Sequence, residues 1–177
     1  MRLRLFPLAL TAILAAALLL GGWSLYNSMA LQKPLTGVVE EVPGVRSAEP
    51  VIDRTRVQLR LELERGAGLR EIYQAIRSNG ADYIGSRQLQ LEVVQTPDEQ
   101  LDDLWSMLLF DIAQAMETRH YADIPAALDR LAGQTEGLTA TTEMDADNVY
   151  ITLENDKAAK YVILPRVPSE MGVWSHA

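Results

Sequence analysis

Acidic side chains are the residues here whose type and spacing come nearest to chemistry. They gather at Asp98, Glu99, Asp102 and Asp103, and again at Asp145 and Asp147. Two carboxylates flanking one bond can divide acid and base duties, as glycoside hydrolases use them. A membrane-anchored hydrolase of wall or peptide substrates, using the dispersed carboxylates Asp98, Asp102, Asp145 and Asp147, is therefore one reading. A plainer one places Asp98 to Asp103 in the first turns of a helix, where the dipole favours negative charge. Asp145-Ala146-Asp147-Asn148 has part of a calcium-loop pattern, but its glycine and terminal acidic ligand are missing, and a β-turn accounts for it.

Other chemistries have fewer parts. His120 and His176 are the two histidines, and no Gly-x-Ser-x-Gly elbow exists to partner His120 as a base. His120 thus reads as a helix-end side chain. Gly66-x-Gly68 follows a strand and precedes a helix, the setting of a nucleotide loop, yet the third glycine and a Walker lysine are missing. With no cysteine, thiol catalysis, zinc–thiolate and iron–sulfur sites and disulfides are all excluded. The sequence assigns no catalytic, cofactor-binding or metal-binding residue, and no cofactor is expected. A ligand-sensing pocket around Trp105 and Tyr73 is a further reading, although Trp105 lies in the apolar stripe of its helix and reads as core.

The elements that would position these residues are legible from periodicity. Residues 45–52 read as a strand held at an edge by Pro50. In 55–64, Val57, Leu59, Leu61 and Leu63 alternate with polar residues, as in a sheet with one wet face. Leu69, Ile72, Tyr73 and Ile76 then take up helical spacing, weakened or ended at Asn79-Gly80. Leu89, Leu91 and Val93 alternate again. Thr96-Pro97-Asp98-Glu99 is a helix start with Thr96 as cap, and Leu101, Leu104, Trp105, Leu108, Leu109, Ile112, Ala113 and Met116 form its apolar face. A second helix over 124–131 follows a break at 120–123 and stops at Gly133. The remainder reads as a three-stranded meander turning at 145–148 and 155–157. The pattern predicts an α+β domain with one mixed sheet and helices mainly on one face, in the order β-β-α-β-α-α-β-β-β.

The N-terminus sets the address. Residues 5–26 contain no charge, and a helix of that length spans roughly 33 Å, enough for a hydrocarbon core of about 30 Å. The run is longer than a signal-peptide core and ends in Trp23 and Tyr26, residues suited to a membrane interface. Arg2 and Arg4 place the N-terminus in the cytoplasm and the rest outside. The expected organisation is a cytoplasmic stub (1–4), a transmembrane signal anchor (5–26), a linker (27–34), an extracytoplasmic α+β domain (35–165) and a flexible tail (166–177). From residue 34 onward 13 basic residues face 24 acidic ones, a balance that disfavours nucleic acid and anionic lipid head groups.

Residues 38–76 contain Val42-Pro43-Gly44-Val45, Ala48, a hairpin and a helix with isoleucines four apart. The segment resembles the small α-β-β-α modules of bacterial envelope proteins: ring-building domains of secretion and sporulation complexes, BON-type domains and sporulation lipoprotein domains. Heavy-metal-associated domains share the outline, but their Cys-x-x-Cys is absent. The resemblance implies a fold and a setting. Together with the missing catalytic parts it gives the expectation of a single-pass protein of the bacterial cell envelope, non-enzymatic, with an interaction or assembly domain that takes an envelope-protein partner or self-associates.

Overall fold

The structure, a computed structural model, describes Ala15 and residues 31–167. Apart from Ala15, the expected stub and membrane-crossing segment lie outside the described residues, as does the tail from 168 on. Among the described residues, no helix is long and apolar enough to cross a membrane.

The described chain runs α1 (Lys33–Glu40), β1 (Val45–Ile52), β2 (Arg56–Leu63), α2 (Leu69–Asn79), α3 (Ala81–Ile84), β3 (Gln88–Val93), α4 (Glu99–Thr118), α5 (Asp123–Gln134), β4 (Thr139–Met144), β5 (Asn148–Glu154) and β6 (Ala159–Pro165). The fold is mixed α+β, but the expectation of one mixed sheet is wrong. There are two three-stranded sheets, β1-β2-β3 and β4-β5-β6. The physical reason is local closure. Asp145 Oδ1 accepts from the N–H groups of Asp147 and Asn148, and Asn155 Oδ1 from those of Lys157 and Ala158, so each turn of the meander is fixed by its own first residue. The meander pairs with itself, and α4 and α5 cover one of its faces.

In the first sheet, β1 pairs antiparallel with β2, and β3 joins β2 in parallel after the α2 crossover. Val57, Leu59 and Leu61 are fully buried and register with Leu89, Leu91 and Val93. This face carries Ala48 and Ile52 as well, and packs with Leu35 and Val39 of α1, Ile72 and Ile76 of α2 and Ile84 of α3. Pro50 lies on an edge strand, as expected. α1 begins at Lys33, with Pro34 in its first turn, and Leu31 packs against the same core.

Val149, Ile151 and Leu153 of β5 form the second core with Leu101, Leu104, Leu108 and Ile112 of α4 and Ile124 and Leu128 of α5. Leu109 and Ala113, expected on the apolar face of α4, are exposed; Ala115 is buried instead. Asp98, not Thr96, caps α4, accepting from Leu101 N–H at 2.9 Å. An Asp carboxylate is the better cap because it accepts the bond while also meeting the positive helix end. The helix stops at Arg119, which takes a left-handed conformation at φ 58°. The next helix runs on to Gln134, through the expected stop at Gly133. Arg166, expected in the flexible tail, is tied down. Its guanidinium donates to the carbonyls of Asp145 and Ala146 and lies 4.8 Å from the centre of the Tyr121 ring.

The two halves meet along a seam. Leu69 and Tyr73 of α2 pack with Tyr150 of β5 and Tyr161 of β6. Around these rings run polar ties: Arg70 with Glu143 at 3.3 Å, Arg77 with Asp147, and Gln74 with Asp145. The sheet of β4, β5 and β6 is thus covered on both faces, which explains why five of the seven residues of β5 are buried.

Candidate functional site

The candidate carboxylates fall into two groups at opposite ends of β5. Asp98 caps α4 and accepts from Asn155 Nδ2 at 3.2 Å, and Asp102 pairs with Lys160 Nζ at 2.6 Å. Asp145 accepts from the Tyr150 hydroxyl at 2.8 Å, from Gln74 and from two backbone N–H groups, while Asp147 is held by Arg77. A strand of seven residues at ~3.3 Å each separates the groups by roughly 20 Å. Cooperating carboxylates of glycoside hydrolases stand about 5–9.5 Å apart, so these two groups share no site. Asp98 instead holds a helix end, Asp102 ties α4 to β6, Asp145 holds a turn and Asp147 the seam.

Electrostatics bear this out at Asp145. Burial pushes its carboxyl up, but the hydrogen bonds from Asn148 N–H, the Tyr150 hydroxyl, Asp147 N–H and Gln74 outweigh that and hold it below its ordinary value. Tyr150 is pushed up, first by burial and then by its bond to Asp145. A base kept ionised by four donors is a weak proton acceptor, and a phenol held neutral is a weak nucleophile. The pair ties the β4–β5 turn to β5.

The remaining sequence candidates are equally ordinary in position. His120 is exposed in the α4–α5 connection, where its carbonyl accepts from Asp123 N–H at 3.0 Å. Gly68 caps α2 with no side chain over the helix end, and the Glu71 carboxylate fills the space a Gly68 side chain would take. Trp105 packs against the α4–α5 core, whereas Tyr73 lies in the seam, so they line no common pocket. No cluster of His, Cys, Asp or Glu suited to a metal ion occurs among the described residues.

What sequence reasoning missed is a surface. On the outward side of α4, Phe110 is 82% exposed and Met107 66% exposed, three residues apart and hence neighbours on one face. Asp103, Gln114 and Glu117 continue the same line and are also exposed. Beside it, between α4 and α5, lies a cavity of about 200 Å³ lined by Asp111, Gln114, Ala115, Asp123, Ala127 and Arg130. The run Met107-Leu108-Leu109-Phe110 was the available signal, since four consecutive apolar residues overfill one helical stripe.

No protein-family model matches the chain, and no curated protein matches it.

Proposed function

We propose that this chain is a single-pass membrane protein of the bacterial cell envelope, anchored by residues 5–26 with its N-terminus in the cytoplasm. Its extracytoplasmic α+β domain binds or organises other envelope proteins and performs no catalysis. The observation that carries the reading is the Phe110–Met107 ridge. A large aromatic ring left in water on a well-packed helix contributes nothing to the fold and gains free energy when a partner covers it. The spent carboxylates support the same reading, because the acids that chemistry would require are engaged in structure. The charge-free N-terminal run and its flanking Arg2 and Arg4 support the address.

A photo-crosslinking amino acid placed at position 110 in intact cells tests the reading. The expected result is a discrete adduct with another envelope protein, absent when the same probe stands at Arg87 on the other half. Adducts with bulk lipid alone, or none, would remove its basis.

A further inference from the structure

Charge is divided unevenly between the halves. Residues 35–95 hold 8 basic and 9 acidic side chains, whereas residues 98–134, which make up the α4–α5 layer, hold 2 basic and 8 acidic. The exposed apolar ridge therefore lies on the more acidic of these two stretches. Asp103 and Glu117 extend the Met107–Phe110 line at either end, and Asp123 lines the neighbouring cavity. None of these three carboxylates takes part in an ion pair among the described residues. Arg130, which lines that cavity, is paired with Asp111 at 3.8 Å.

Complementarity selects the occupant. Two copies of this face apposed about a twofold axis would bring Asp103 and Glu117 against like charges. An anionic bilayer would be repelled in the same way. A segment with apolar side chains flanked by arginine or lysine satisfies every feature at once. Its apolar residues cover Phe110 and Met107, and its cations meet Asp103, Glu117 and Asp123. A guanidinium would also find the open face of the Phe110 ring. Resting on the interaction reading above, we infer that the α4 ridge is the docking site for a cationic, amphipathic segment of a partner protein.

Full-length protein in nanodiscs of zwitterionic lipid provides the test, with empty discs as blank. Two fluorescent peptides of equal length serve as probes, one alternating leucine faces with arginine and one with glutamate. Fluorescence anisotropy should show binding of the arginine probe, weakened by added salt, and no binding of the glutamate probe. Phe110→Asp should weaken the arginine probe by at least about tenfold. Asp103→Lys with Glu117→Lys should weaken it as well, and circular dichroism should show both variants folded. Equal binding of the arginine probe to wild type and Phe110→Asp would overturn the inference. So would a dimer abolished by Phe110→Asp, which assigns the ridge to a second copy, or binding to anionic vesicles abolished by it, which assigns the ridge to lipid. Protein adducts at position 110 without arginine-probe binding would refute the cationic partner and leave the interaction reading standing. Loss of both would remove both.

Discussion

The ring of Tyr73 on α2 stands 5.6 Å from that of Tyr150 on β5, with the planes tilted by 59°. This tilted contact lies within the range at which aromatic pairs attract beyond their buried area. It joins the two halves at the point where the polar ties of α2 to the β4–β5 turn converge. The Tyr150 hydroxyl extends the contact by donating to Asp145 and accepting from Asn148 Nδ2 at 3.3 Å. Asn148 is itself buried, so the chain of three groups is sensitive to loss of its middle member.

Tyr150→Phe keeps the ring and removes that member. Asp145 loses a charge-assisted bond, and Asn148 is left with a buried unpaired donor. We expect a loss of about 1.5–3 kcal/mol in urea unfolding, and about 3–5 kcal/mol for Tyr150→Ala, which also empties the seam. A Phe variant as stable as wild type would show that the hydroxyl contributes nothing.

Asp145 should set part of the acid stability. Its folded pKa is depressed, so its contribution is present above its unfolded value, about 3.8, and is lost as pH falls through the lower folded value. Tyr150 acts at the other end. Its folded pKa is raised, so its contribution is complete below about 10 and is lost as pH rises through the folded value. Thermal melts should therefore decline below pH 4, and Asp145→Asn should be less stable at neutral pH with a shallower decline on acidification.

Gly44 should not tolerate a side chain. It has φ +91°, and a Cβ there would lie 3.1 Å from the Ala67 Cβ and 3.3 Å from Ile72. Its carbonyl accepts from Glu64 N–H at 2.8 Å, tying the start of β1 to the end of β2. Gly44→Ala should cost on the order of 1–3 kcal/mol, read from the unfolding midpoint.

Asp98 carries two duties, capping α4 and receiving Asn155 from the β5–β6 turn. Asp98→Ala should cost about 1–2 kcal/mol. In a double-mutant cycle with Asn155→Ala, the two changes should fall short of additive by at least about 0.5 kcal/mol, because they share one bond. Strict additivity would mean the cap and the turn are independent.

Local features of the fold were legible, and features that depend on distant pairing were not. The bounds of β1, the alternation of Val57, Leu59 and Leu61 and the turns at Asp145 and Asn155 are all short-range properties, and they appear in the structure where the sequence places them. The division into two sheets was hidden because strand alternation says which face is wet and nothing about which strand lies alongside. The seam was hidden for a related reason. Arg70 and Arg77 are complementary to Glu143 and Asp147, but each pair is separated by about seventy residues and read singly as a solvated charge. Tyr150 shows the limit most clearly. It occupies the polar side of an alternating strand and is nonetheless 2% exposed, because α2 arrives to cover it. The ridge of α4 was hidden for the opposite reason: Leu109 continues the apolar stripe in the sequence yet is exposed in the structure.

The seating of α1 has a mechanical meaning. Leu35 and Val39 are wholly buried, and Leu31 packs against the same core, so the chain enters the body through a fixed socket. Any tension delivered from residues ahead of 31 would pass straight into the layer between α1 and the first sheet, with no slack to absorb it. Those two side chains are the rivets that a tug on the N-terminus would have to shear.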